Sequence, residues 1–313
     1  MSSLIEQATQ RLEQLRQAGV SMPDDVQAIG AGAAPGQAGA DVGMAVPGTA
    51  GAPIETPHHP ASKRVDLDFT ALAEQGFLTP NAGRSHFADQ YRVIKRPLIK
   101  NAMGKGAVTL NHANLIMVTS ALPGEGKSFT SLNLALSIAA EMDNTVMLVD
   151  ADVARPSVLR MLGLPQGPGL LDVLEDSVDM ASVMLRTNVD KLTLLPSGTP
   201  HPRATELLAS DAMSHLLDDM AKRYPDRIII FDSPPLLLTT ESRVLASHMG
   251  QIVVVVQAGK TPQSAVMQAL AAIESCPLKM MLLNQSSTNA IGGYGYGYGY
   301  GYGYGYASES SKS

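Results

Sequence analysis

The chain has 313 residues, 45% of them hydrophobic and 17% charged, with 4% aromatic residues, no Trp and a formal net charge of −6. That length holds one α/β domain of ordinary size plus appendages, and the acidic balance argues against nucleic acid as a partner. The lone cysteine, Cys276, excludes an intramolecular disulfide framework, fits a reducing compartment and is expected to serve as a small packing residue.

Residues 3–18 set Leu4, Ile5, Ala8, Leu12 and Leu15 at helical spacing, and Gly19 is a stop signal, so residues 1–19 read as an amphipathic helix. A helix this short needs a surface, either its own domain or a partner. The N-terminus lacks the apolar core and cleavage site of a signal peptide, and no run reaches the ~18 apolar residues that cross a bilayer. The expected location is therefore cytoplasmic, with any membrane contact made through a partner. Residues 20–62 are rich in Gly, Ala and Pro without a period and read as a disordered linker. Two adjacent histidines inside it, His58 and His59, are read as incidental rather than metal-binding.

From residue 63 to residue 285 apolar strands alternate with amphipathic helices. LIMVTS (115–120), TVMLVD (145–150), LTLLPS (192–197), RIIIFD (227–232), QIVVVVQ (251–257) and MMLLN (280–284) are the predicted strands. A helix is predicted from Lys127 to Glu141, another over 204–224 and a third over 261–275. Near-continuous apolar strands between helices predict an α/β fold, a mostly parallel sheet with helices on both faces.

Between the first of these strands and its helix stands ALPGEGKS, residues 121–128, an A-x-x-x-x-G-K-S variant of the P-loop. Gly124 and Gly126 let the backbone turn its N–H groups toward an anion, and the following helix points its positive end the same way. Pro123, Gly124, Glu125, Gly126, Lys127, Ser128 and Phe129 are thus the expected nucleotide-binding run. Lys127 is suited to the β and γ phosphates of ATP and Ser128 to Mg2+. Asp150 ends the second strand, Asp152 lies just beyond it, and Asp232 ends a later one. Parallel strands end on one edge, where such sheets bind ligands, so these carboxylates are candidate Mg2+ ligands and catalytic groups, with capping roles as the alternative. Asn284 closes the last strand and suits either a nucleobase edge or a turn.

PGEGKS, DADVARP (150–156) and FDSPP (231–235) together resemble the bacterial tyrosine kinases, P-loop autokinases that regulate polysaccharide export. The N-terminal helix and DQYRVIKRPL (89–98) resemble the branch associated with exopolysaccharide and exosortase loci, in which the kinase is a chain separate from its membrane co-polymerase. The resemblance implies ATP and Mg2+ at Lys127 and Ser128, and Asp150 and Asp152 in a second Walker element. It makes Asp232 the Walker B carboxylate and Asp150 the group that takes the proton from an attacking tyrosine. It also implies an activating membrane partner, a cognate tyrosine phosphatase and recruitment to the inner face of the membrane. A homo-oligomer, in some cases a ring, is implied too, with Asp89, Arg92 and Lys95 at its interface. On the residues alone, a solvated charged helix face explains those three equally. Two positions depart from the family pattern: Ala154 stands where an arginine is usual, and Glu241 where Asp is common. The competing reading is an ATPase switch like the partition and cell-division-site ATPases, which carry a second lysine five positions before the catalytic one. Here that position is Leu122.

The chain ends in a Tyr/Gly repeat followed by SESSKS, and residues 286–313 are expected to be disordered. Tyr294, Tyr296, Tyr298, Tyr300, Tyr302, Tyr304 and Tyr306 are seven of the nine tyrosines in the protein. As phospho-acceptors they answer the ATP site, since a slim disordered segment lets any one of them reach a cleft. Roughly 35 Å of extended chain separates Asn284 from Tyr294. The alternative is an adhesive low-complexity repeat, because strict alternation puts every Tyr on one face of a strand.

Overall fold

The computed structural model describes residues 62–80, 83–223 and 226–286. The predicted N-terminal helix, the linker apart from its last residue, and the tyrosine repeat lie outside the described residues. Within them the elements run β1 (Lys63–Val65), α1 (Phe69–Glu74), α2 (His86–Ala102), β2 (Leu115–Ser120), α3 (Lys127–Ala139) and β3 (Thr145–Asp150). Then come α4 (Val158–Met161), α5 (Leu170–Leu174), α6 (Met180–Val183), β4 (Leu185–Thr187), β5 (Leu192–Leu195), α7 (Ala204–Leu208) and α8 (Asp211–Arg223). The last are β6 (Arg227–Asp232), α9 (Glu241–Ser247), β7 (Gln251–Gln257), α10 (Gln263–Ala272) and β8 (Lys279–Asn284).

The strands form one sheet in the order β1-β4-β5-β3-β6-β2-β7-β8. Every pairing is parallel except β4 with β5. Strand geometry sends alternate side chains to opposite faces, and two separate cores result. Leu115, Met117, Met147, Val149, Ile229 and Phe231 point into one, roofed by α5 to α10. Ile116, Val118, Val146, Leu148, Ile228 and Ile230 point into the other, roofed by α1 to α4. Burying both faces explains why these strands carry no polar alternation. Each fully buried Leu, Ile or Phe contributes about 1.5–3 kcal/mol.

The predicted helix over 204–224 is two helices. Ser210 breaks it: its hydroxyl donates to the Leu207 carbonyl at 2.7 Å and accepts from the Met213 amide at 3.2 Å, which caps α8. The two strands that sequence patterning did not predict, β1 and β4, have three residues each. Among the described residues no helix is long and apolar enough to cross a membrane.

Candidate nucleotide and phosphotransfer site

The sheet delivers the site because its parallel central strands end on one edge. Asp150 and Asp232 are register partners on β3 and β6, strands about 4.8 Å apart, so two carboxylates leave adjacent strand ends side by side. Asp150 is 1% exposed, Asp232 0% and Asp152 5%. Like charges in that arrangement repel, and the surroundings answer each carboxylate differently. The Asp150 Oδ2 accepts the Ser157 and Val158 amides, both at 2.9 Å, from the start of α4. Its Oδ1 is buried without a hydrogen-bond partner. Burial, reinforced by Asp232 and Asp152 against the pull of those two amides, pushes Asp150 up to about 7. Asp232 accepts the Ser131 hydroxyl at 3.0 Å and the Ser157 hydroxyl at 3.4 Å. Burial raises its pKa too, while Lys127, Ser128 and Ser131 draw it back.

Lys127 opens α3 and donates to the Asp152 Oδ2 at 2.8 Å, with Ser128 Oγ at 3.4 Å. The Asp152 Oδ1 accepts the Arg155 amide at 3.1 Å. The loop before α3 has Gly124 at φ 83° and Gly126 at φ 93°, left-handed conformations that a side chain resists. Gly126 has a second reason: a Cβ there would lie 2.1 Å from the Asn284 Nδ2. That nitrogen donates to the Glu125 carbonyl at 2.9 Å, tying the end of β8 to the loop.

Glu125 does more than sequence reasoning assigned it. Its carboxylate is buried, accepts the Leu122 amide at 2.7 Å, and accepts the Thr261 hydroxyl on its other oxygen. Thr261 in turn accepts the Gln257 amide at 3.0 Å. The loop is therefore braced from inside by a side chain at a position the P-loop pattern leaves free. Ser131, Ser157 and Thr261 were missed as well. The serines carried a weak signal, each being a small hydroxyl within a few residues of an assigned group.

Other predicted residues take different places. Pro123 is exposed at the loop tip. The Phe129 ring packs on Phe77 at 5.0 Å and on Phe87 at 6.0 Å, so what Phe129 turns to the loop is its backbone. Leu122 packs against the core. Arg92 donates to Asp89 at 2.5 Å on the exposed side of α2. Lys95 is turned inward, 4% exposed, donating to the Ser137 carbonyl at 2.5 Å and pairing with Glu141 at 2.6 Å. Its ammonium thus neutralises the carboxyl end of α3, and it is not on a surface shared with Asp89 and Arg92. Glu241 accepts the Thr205 hydroxyl at 2.7 Å, remote from the three aspartates in its hydrogen bonding. Ala154 and Arg155 are exposed.

A family model described as "ParA: NUBPL iron-transfer P-loop NTPase" matches residues 111–281. Over 194 residues the chain is 32% identical to the tyrosine-protein kinase YwqD of Bacillus subtilis, covering 62% of this chain and 78% of that protein. It is 29% identical to the succinoglycan biosynthesis transport protein ExoP of Rhizobium meliloti, over 68% of this chain but 27% of that longer protein. The solved kinase domain of VpsO superposes with a TM-score of 0.52 at 27% identity, covering 65% of this chain and all of that domain.

Proposed function

The chain belongs to the bacterial tyrosine-protein kinases, a group of P-loop nucleotide-binding proteins, and from that premise we propose that it phosphorylates its own C-terminal tyrosines with ATP. The observation that carries this reading is the position of Asn284. The strand that leads into the Tyr/Gly repeat ends hydrogen-bonded to the phosphate loop itself, which supports delivery of the repeat from the edge of the sheet that carries the loop.

The chemistry follows from the residues. In the transfer the phenolic oxygen forms a bond to the γ-phosphorus, the bond from that phosphorus to the bridging oxygen breaks, and ADP leaves. Lys127 and the loop amides offset charge on the phosphoryl oxygens, the largest contribution in reactions of this kind. The phenol has a pKa near 10, and among the oxygens of the three site aspartates Asp150 Oδ1 is the one with no competing donor, so it receives the proton. Ser128, Asp150, Asp152 and Asp232 form an all-oxygen donor set that fits Mg2+. When bound, Mg2+ supplies further charge neutralisation at the phosphoryl group. The iron of the family model's description has little to hold it here, since iron–sulfur clusters need thiolates and the single cysteine is buried.

The name of ExoP supports a role in exopolysaccharide polymerisation or export. We place the chain at the inner face of the membrane through a co-polymerase that activates it, with a tyrosine phosphatase reversing the mark. The exposed Asp89–Arg92 pair is the contact offered to a neighbouring subunit. Each phosphate adds about −1.5 to −2 charges, so autophosphorylation loosens the oligomer. Light scattering before and after ATP treatment tests this, and an unchanged mass contradicts it. The competing ATPase switch lacks support at Leu122, an apolar side chain packed on the core.

Labelled ATP tests the assignment. Intact protein is expected to take up label, Lys127→Met to take up none, and a chain ending at Asn289 to lose it. Phosphate release with no labelled protein would instead support the switch.

A further inference from the structure

β8 is one end of the sheet. The Ile252 and Ala258 amides donate to the Leu278 and Asn284 carbonyls. Strand alternation therefore sends the N–H and C=O groups of Met281 and Leu283 outward. Exposed edges in natural sheets are blunted by charge, proline or a bulge, yet this one reads KMMLLN, charged at its first residue alone. Met281 and Leu283 are 57% and 64% exposed.

Between β8 and α2 lies a groove of about 710 Å³ whose walls include Phe87, Val93, Ile94, Met280 and Leu282. Val93 is 71% exposed. Pro97, inside α2 and also in the groove wall, has no N–H, so the Val93 carbonyl lacks its helical i+4 donor. Gln90 and Gln285 add polar groups to the wall. Aromatic rings suit methionine and aliphatic walls, and a phenol hydroxyl needs one acceptor nearby.

We infer that this groove and edge are a docking site for the chain's own unphosphorylated tyrosine repeat, residues 294–306, added as an antiparallel strand along β8 with its phenols in the groove. The repeat issues from β8 itself: the described residues end at Ser286, and residues 287–293 are a sufficient connection for the chain to turn back. Alternation of Tyr and Gly puts all the phenols on one face, about 6.6–6.8 Å apart, so the six residues of β8 span about three of them. A slip by two residues preserves that face, so several registers are equivalent. Interior glycines keep each register weak, which leaves the tyrosines free to exchange with the active site. A phosphate cannot enter an apolar groove without losing its hydration, so each modification expels its residue and uncovers the edge. That release rests on the repeat being the acceptor; the docking does not.

The chain lacks Trp and has seven of its nine tyrosines in the repeat, so 19F NMR of the full chain labelled with fluorotyrosine reads the repeat directly. The comparison is wild type without nucleotide, Val93→Glu, Met281→Pro and the free peptide 287–313. Val93→Glu puts a charge at an exposed position, and Met281→Pro deletes one outward N–H, so circular dichroism is expected to show both folded. Wild-type repeat signals are expected to be shifted and broadened from the peptide positions at every protein concentration. Either folded variant is expected to return them to those positions. Signals already at the peptide positions in wild type, signals unmoved by a folded variant, or shifts seen only at high concentration (a second copy's tail) overturn the docking. Adding ATP and Mg2+ separates the two readings: signals that stay docked and unmodified overturn the acceptor assignment while supporting the docking.

Discussion

The phosphate-loop edge and the β8 edge of this sheet are inversions of each other. At the first, charged groups are buried: Asp150, Asp152 and Asp232 are each at most 5% exposed. At the second, apolar groups are exposed, with Val93, Met281 and Leu283 all above half. Both arrangements cost stability, the first by desolvating carboxylates and the second by leaving apolar surface and an open strand edge in water. A fold keeps such costs where something else offsets them. On the proposed function that is Mg-nucleotide at the first edge, and on the docking inference a covering strand at the second. The two meet at Asn284, which ends the open strand and donates to the phosphate loop.

Substitutions sharpen this contrast, and the largest effect is expected at Lys127. Lys127→Met should lower phosphotransfer by at least ~10²-fold. It should also destabilise the fold, because Asp152 loses the cation it pairs with at 2.8 Å and removing one partner of a buried pair costs about 3–5 kcal/mol. Steady-state transfer and thermal melts check the two arms.

Asp150→Asn should also lower transfer but move stability the other way. Asp150 has a folded pKa of about 7, above its ordinary value, so the folded state holds its proton more tightly than the unfolded chain. Wild-type stability is therefore lost as pH rises from about 4 to 7, whereas the amide does not ionise. The nucleotide-free variant should be more stable than wild type at pH 8 by on the order of 2–4 kcal/mol, with the gap closing toward pH 4. Denaturant melts across that range measure it, and a gap independent of pH contradicts the account.

What sequence could and could not read follows the same division. β2, β3, β6 and β7 were legible to the residue, and so was the turn at Gly124 and Gly126, because each position at that edge demands its own residue type at a fixed spacing. A strand end needs its Asp and a tight turn its Gly. The β8 edge was not legible. Met, Leu and Val look alike whether a helix covers them or water does, so MMLLN read as one more covered strand. Lys95 failed for a related reason. Spacing put it on a charged face, but a four-carbon stem let its ammonium reach the Ser137 carbonyl at the end of α3. The Glu125–Thr261 brace joins positions 136 residues apart, a separation that no local pattern spans.

A smaller effect is expected from Thr261→Val, which leaves a Glu125 oxygen without its hydroxyl donor. The cost should be about 1–3 kcal/mol in stability, with weaker nucleotide binding by calorimetry as the loop loosens. The smallest is Leu283→Lys. At an exposed position it should change folding stability by no more than about 0.5 kcal/mol, leave phosphotransfer intact and raise solubility by charging the open edge.

The central claim is that the buried-carboxylate edge acts on the repeat that leaves from the apolar one. Mass spectrometry of the full chain after incubation with ATP and Mg2+ tests it most directly, with sites mapped in wild type and in Lys127→Met. The account predicts a ladder of up to seven phosphates confined to Tyr294–Tyr306 in wild type and none in the variant. A wild-type repeat without phosphate while ATP is consumed, or equal phosphate in both proteins, would contradict it.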